Sequence, residues 1–448
     1  MKSLWQDTSR QTEEHPHLAG AARCDVLIIG GGMAGILTAL CLQEKGLRCI
    51  VAEGHRIGQG ITAGTTAKIT AQQGFLYTRL LRLHGKEQAG LYLDAAETSI
   101  DAYERMASKI PCDFMRQSNL VYTLKSRKKA ENEMRAMEKL EYPARFREKT
   151  ALPFQVAAAV EFPDQASFHP LKLLYGAAEM AEGMGLEIYE KTRILRLRRW
   201  RDGGWEACSR EGSVLADQVV FTSHFPFYNL QGLYFLKQHQ SRTFMIAGTS
   251  PKLPALDGMY VDEDEKGLTF REGGGMLLMG GGSARTGKAG GGQDEWNSLE
   301  TLAGKYYRGW KTAYRWAAQD CMTADGLPYI GSYGRNRNGL WAATGFNKWG
   351  MTGSMMAARM LSVMIPGGHD PLEHLLSAGR AVPPLPLLEN AGMAAANLLK
   401  PVTPRCRHMG CALKWNPLEM TWDCPCHGSR YEKDGRCIEG PSKKDLPR

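Results

Sequence analysis

"CDVLIIGGGMAGILTALCLQEKGLRCIVAEG", residues 24–54, sets four features in a fixed order. Val26 to Ile29 is a short, branched, apolar run, which suits a strand buried on both faces of a parallel sheet. Gly30, Gly32 and Gly35 come next as G-x-G-x-x-G and lead into an apolar helix through Leu40 and Leu42. A second strand, RCIVAE, ends on Glu53. Gly30 allows the tight turn, Gly32 lets the backbone reach a pyrophosphate, and Gly35 permits close packing of helix on strand. The helix N-terminus offers unsatisfied amides to phosphate, and Glu53 can accept hydrogen bonds from ribose hydroxyls. Glycines alone would predict only a turn. Strand, helix, second strand and acid in order predict a dinucleotide site.

The segment after Glu53 separates FAD from NAD. "GHRIGQGITAGTTAKITAQQG" (54–74) is rich in Gly, Thr and Ala and continues the pocket. A pyridine-nucleotide disulfide reductase would need a redox cysteine pair and a second G-x-G-x-x-G. The glycine-rich "GGGMLLMGGGSARTGKAGGG" (273–292) lacks that order. With "TADGLPYIGSYG" (323–334) and "GLWAATGFNKWGMTGSMMAARMLS" (339–362), these segments resemble the D-amino-acid oxidase, glycine oxidase and sarcosine oxidase family over residues 23–380. The resemblance implies FAD contacts from Arg56, Gly58, Gly60, Thr65, Thr66 and Lys68. It implies others from the closing loop and helix at Gly345, Gly350, Met351 and Thr352. That helix N-terminus would face the flavin pyrimidine edge, where charge accumulates on reduction.

On the substrate side the candidates are Tyr260, Arg271, Arg285, Lys288 and Lys348. An arginine there could clamp a substrate carboxylate bidentately. The plainer alternative is that Arg271 and Arg285 face solvent on strands. His169, in "SFHP", reads as a turn residue rather than a base, and His55 does not stand where family members attach flavin. Cys321, in "QDCMTAD", resembles the covalent-FAD segment of monomeric sarcosine oxidase but stands three residues nearer the following Asp. A buried thiol is the expectation there.

The tail carries a second signal. "TPRCRHMGCALKW" (403–415) and "CPCHGSRY" (424–431) place Cys406 and His408 fifteen residues before the pair Cys424 and His427. Two cysteines and two histidines suit tetrahedral zinc or a Rieske [2Fe-2S] cluster. The loops resemble Rieske proteins of the cytochrome bc type, which read C-x-H-x-G-C and C-P-C-H-G-S-x-Y. The resemblance implies Cys406 and Cys424 on one iron and His408 and His427 on the other. It further implies a Cys411–Cys426 disulfide tying the loops, and hydrogen bonds to cluster or ligand sulfur from Ser429 and Tyr431. Only "AGMAAANLLKPVTPR" precedes the first loop, so the strands at the base of a full Rieske domain are shortened. Either the main body substitutes for them or the cluster is poorly housed.

Composition bounds the rest. The 448 residues include 43% apolar and 23% charged side chains, an ordinary globular balance with room for several cores. The net charge of +9 is spread along the chain, and "LKSRKKAENEMRAMEK" (124–139) mixes both signs at helical spacing, so no nucleic-acid surface is expected. The start lacks an apolar signal core, and no apolar run is of membrane-spanning length. Cysteines 24, 41, 49, 112, 208 and 321 are scattered without a pairing pattern, as in a reduced compartment. These features predict a cytoplasmic protein, with peripheral membrane contact left open.

The expected fold is α/β: a Rossmann-like FAD domain interleaved with a mixed-sheet substrate domain, plus a small all-β Rieske module. Boundaries fall at an N-terminal arm (1–22), FAD-binding segments (about 23–90, 160–225 and 320–378) and substrate segments (about 91–159 and 226–319). A linker (379–400) containing the proline-rich "GRAVPPLPLLEN" and the tail module (401–448) complete the chain. Two redox centres on one chain suggest an amine or amino-acid dehydrogenase. Electrons would pass from flavin to cluster and on to a protein or quinone acceptor. The alternatives are reverse flow, from cluster to flavin, and a peroxide-forming oxidase with a structural or redox-sensing tail.

Overall fold

A computed structural model describes residues 2–10, 12–200, 203–228, 232–264, 267–288, 294–334, 338–401 and 404–447. Its first sheet has eight strands. The strand Gly20–Ile29 is flanked in parallel by Cys49–Ala52 on one side and Gly212–Phe221 on the other. Glu187–Tyr189 and Leu340–Thr344 extend it outward, again in parallel, and Tyr329–Ser332 closes one edge antiparallel. Val26, Leu27 and Ile28 are completely buried, so the unbroken apolar run has covered faces on both sides. The helix Met33–Gln43 lies on one face and packs against the helix Gly350–Met364.

A second sheet has nine strands. Its path runs Lys311–Thr323, Gln238–Thr249, Met276–Arg285, Thr269–Gly273, Met259–Asp262, Met115–Thr123, Ala158–Ser167 and Lys68–Ile69. Arg145–Arg147 pairs off that path with Ala158–Ser167. The chain therefore passes between the two sheets several times, as an interleaved pair of domains requires. The segment before the first strand is a strap. Ser3 and Gln6 form a capping box on the helix Leu4–Thr8, and Trp5 Nε1 donates to Thr65 O at 2.7 Å.

The tail folds as a four-stranded antiparallel meander of three-residue strands: Lys414–Asn416, Thr421–Asp423, Arg430–Glu432 and Cys437–Glu439. Five of its seven buried core side chains are cysteines, with Leu413 and Tyr431 completing the set. So small an apolar core cannot offset chain entropy alone and needs a metal, a cross-link or a neighbour. The neighbour is the second sheet. The expected linker is not extended: Pro384–Leu398 is a helix whose first-turn prolines, Pro384 and Pro386, lie where no intrahelical N–H is needed.

Candidate functional sites

The glycine turn has the geometry its spacing predicts. Gly30 sits at φ +119, and a Cβ on Gly35 would stand 1.9 Å from Gly30 O, so helix and strand could not approach with any side chain there. Gly32 meets only Thr62 Oγ1, at 3.4 Å, which leaves its backbone open. The Glu53 carboxylate accepts the N–H groups of Gly31 at 2.7 Å and His55 at 2.8 Å. Burial pushes its carboxyl up, and those two amides oppose the shift. Gly30, Gly32, Glu53, Thr62, Gly350 and Met351 line one cavity of about 1030 Å³. That volume accommodates a dinucleotide, and the open turn and buried acid are the features that one engages.

Several residues expected at the FAD are engaged by the protein itself. Arg56 and Gly60 line the cavity, but the Arg56 guanidinium is held by Glu190 and by the Thr12 and Glu13 carbonyls of the strap. Thr65 and Thr66 sit behind the lining, where Thr65 Oγ1 accepts from Ala67 N and its carbonyl from Trp5. Lys68 is buried in the second sheet and donates to Tyr260 O at 2.6 Å and Thr269 Oγ1 at 2.5 Å. Gly345, at φ +71, packs on Thr323 and Gln238. Thr352 exchanges hydrogen bonds of 2.9 Å with the backbone of Thr70, which fixes the start of its helix.

The substrate-side candidates are corrected more sharply. Arg271 does not face solvent. It is buried beneath the Trp5 ring and donates to Ala67 O at 2.7 Å, and burial pushes it down to about 9. Tyr260 hydroxyl is occupied by Asp257 and Ala151 N, and neither Tyr260 nor Arg271 lines the cavity. Lys348 reaches the Ser283 hydroxyl, and Lys288 is exposed. Arg285 is not a substrate clamp: Nε donates to Pro425 O at 3.1 Å and NH2 to Cys426 O at 2.9 Å, so it grips the second tail loop. Cys321 is a buried thiol pushed up to about 12, outside the cavity lining.

The second sheet supplies the base that the tail lacks. Gln240 Nε2 donates to His427 O at 2.7 Å, and Gln319 Nε2 donates to Gly428 O at 2.9 Å. A Cβ on Gly428 would lie 2.6 Å from Gln240 Cβ, so the loop sits hard against the strand. Arg242, 2% exposed, forms a bidentate pair with Glu419, which Arg430 also contacts at 3.0 Å. None of these partners had a local sequence signal. The body substitutes for the missing strands.

Within the tail, the rings of His408 and His427 stand 5.0 Å apart and nearly perpendicular. The sulfurs of Cys411, Cys424 and Cys426 fall within 4.8 Å of one another, and each cysteine is a free thiol. Burial pushes His408 down to about 3 and His427 to about 4, which keeps both imidazoles neutral, as ligation requires. His427 Nδ1 is buried without a hydrogen-bond partner among the described residues, as an atom reserved for a metal would be. Tyr431 hydroxyl lies 3.4 Å from Cys406 Sγ, and Ser429 hydroxyl accepts from Ser442 N at 3.0 Å. The donor set fits an iron–sulfur cluster.

Sequence comparison agrees with both sites. The family model for FAD dependent oxidoreductases matches residues 25–364, and that for the Rieske [2Fe-2S] domain matches 395–448. The chain therefore belongs to the FAD-dependent oxidoreductase family and ends in a Rieske domain; its cofactors are FAD and a [2Fe-2S] cluster. A Bacillus subtilis (strain 168) protein named for a Rieske 2Fe-2S centre, YhfW, is 31% identical over 99% of this chain and 97% of its own length. Among solved structures, glycine oxidase from Geobacillus kaustophilus superposes with a TM-score of 0.66 at 18% identity, covering 81% of this chain and 100% of that one. L-Proline dehydrogenase from P. horikoshii gives 0.66 at 17%, covering 81% and 98%. No described helix is long and apolar enough to cross a membrane.

Proposed function

We propose that the chain is an amine or amino-acid dehydrogenase in which flavin electrons leave through the Rieske cluster to an external protein or quinone acceptor. One observation carries this reading. The cavity lined by Gly30, Gly32 and Glu53 is also walled by Glu419, Thr421, Arg430 and the segment Glu439–Lys443 of the tail. A tail used only for docking a partner would not need to wall the flavin site. When bound, FAD takes two electrons from a C–N bond and the cluster exchanges them singly.

The chain's own residues divide the work. Gly30, Gly32 and the N-terminus of Met33–Gln43 would hold the pyrophosphate, Glu53 the ribose, and Gly350 and Met351 the flavin end. Cys406 and Cys424 would bind one iron, His408 and His427 the other. Tyr431, beside Cys406 Sγ, would donate to ligand sulfur and stabilise added charge. The names of the structural neighbours, a glycine oxidase and an L-proline dehydrogenase, support an amino acid as substrate.

The test is an anaerobic titration of the holoprotein with amines and amino acids, read by visible absorption and low-temperature EPR. Flavin bleaching should be accompanied by a rhombic signal of low average g. If a substrate bleaches the flavin while the cluster stays oxidised, and peroxide forms equally fast after the cluster ligands are mutated, the oxidase reading replaces this one.

A further inference from the structure

The helix Pro384–Leu398 is inside out. Its two buried side chains are asparagines, Asn390 and Asn397, which share the face turned to the body. Asn390 Nδ2 donates to Leu236 O at 2.8 Å, and its Oδ1 accepts from Arg285 NH1 at 2.8 Å. The Asn397 carbonyl accepts from Ala412 N at 3.0 Å, which ties the helix end to the tail. The opposite face, Leu385, Leu388, Gly392, Ala395 and on to Leu399, is exposed along its whole length. Its three leucines are 65%, 68% and 84% exposed. A helix on a globular surface turns such a stripe toward the core.

This apolar surface continues onto the iron–sulfur module. Arg405 NH1 donates to Leu398 O at 3.1 Å and to Gly410 O at 2.8 Å, so it clamps the helix end to the loop that carries His408. Leu398 and Met409, 41% and 39% exposed, extend the surface from helix to loop. Positive charge collects at the same end. From 390 to 418 the chain has no Asp or Glu, against Lys400, Arg405, Arg407 and Lys414. Lys400 and Arg407 are exposed.

A contiguous exposed apolar patch marks an interaction surface, and its composition says which kind. Protein interfaces centre on aromatic and arginine anchors set into pockets. From 384 to 399 there is no aromatic residue and no arginine, and the one charge is Glu389. With 15 residues the helix is too short to span a bilayer. Projecting leucines with cations at one end match the headgroup and acyl boundary of an anionic membrane.

We propose that this helix docks the protein on lipid: its outer face enters the surface of a bilayer containing anionic lipid, with Lys400 and Arg407 at the headgroups. The docking deepens the two-centre reading, because it holds the loop carrying His408 at the surface in which a quinone acceptor dissolves. Lipid binding itself does not depend on electron flow.

Vesicle flotation tests it on the full-length holoprotein. The protein should float with vesicles of phosphatidylcholine and phosphatidylglycerol in equal parts, and weakly with phosphatidylcholine alone. Leu385→Glu, Leu388→Glu and Leu399→Glu together should lower binding by about tenfold or more, with FAD and iron content retained. Leu385→Ala, Leu388→Ala and Leu399→Ala together add no charge and should lower it several-fold, which covers misfolding of the first variant. Lys400→Gln with Arg407→Gln should remove the preference for phosphatidylglycerol.

Wild-type protein that stays in solution with both vesicles overturns the proposal, as does flotation unchanged in both leucine variants. Without flotation, a dimer that these variants dissociate gives the face to a second copy. Reduction of a soluble electron-carrier protein, slowed by the same variants, gives it to a protein partner. Either result overturns lipid docking. Flotation with a cluster that the flavin never reduces defeats the two-centre reading alone.

Discussion

At the front of the chain, Gly30, Gly35, the helix Met33–Gln43 and Glu53 lie within one short stretch and assemble the dinucleotide turn from neighbours in sequence. At the rear, the loop that carries Cys424 and His427 rests on Arg285, Gln319 and Gln240, which stand 140, 109 and 187 positions from the residues they bond. The front site is a local supersecondary unit and can be read as a motif. The rear module is equally legible as a motif but does not stand alone, because five of its seven core side chains are the cysteines themselves. A motif can thus announce a cofactor while saying nothing about what supports it.

The sharpest way to break this comparison is Gly35→Val. Its Cβ would fall 1.9 Å from Gly30 O, a backbone atom that cannot step aside. FAD should be lost together with about 3 kcal/mol or more of stability, while the cluster's EPR signal persists. Loss of both centres would mean that the front also carries the rear.

The converse variant is Arg242→Met at the seam. It strips the buried carboxylate of Glu419 of its bidentate partner, leaving Arg430 and the Asn416 Nδ2 donor. The tail should loosen at a cost of roughly 2–3 kcal/mol with FAD retained. Limited proteolysis and urea denaturation, read at the flavin and iron bands separately, would show whether the two regions part as expected.

The strap gives a smaller, pH-dependent effect. His169 caps the helix Pro170–Glu182 through Lys172 N, and its Nε2 meets Thr8 Oγ1 at 3.0 Å. Burial pushes it down from 6.5 to about 4, so the unfolded chain takes up this proton first. Its contribution is complete above about pH 6.5 and is lost as the pH falls toward 4. His169→Asn keeps a capping oxygen and should remove roughly 2 kcal/mol of acid sensitivity, measured by denaturation at pH 7.5 and 4.5.

The smallest effect is expected from Tyr431→Phe. Removing a hydroxyl 3.4 Å from Cys406 Sγ should lower the cluster potential without altering iron content. One hydrogen bond of about 1 kcal/mol corresponds to about 40 mV for one electron. An unchanged potential would show that this tyrosine serves only the fold, through Arg407 N.

Sequence alone determined the nature of the two centres. The apolar run Val26–Ile29, the glycine spacing and Glu53 predict their own geometry because every partner is local. Cys406, His408, Cys424 and His427 announce a metal centre by ligand type, zinc or iron–sulfur, and the resemblance of their loops to Rieske proteins points to iron. Tertiary structure alone decided what the loops rest on, that the Trp5 strap covers Arg271, and that Arg285 grips an iron–sulfur loop instead of a substrate. It also turned the leucines of Pro384–Leu398 outward and its asparagines inward. The physical reason is range: a turn or a ligand loop is specified by adjacent residues, whereas burial and long-range pairing depend on which surfaces the whole chain brings together.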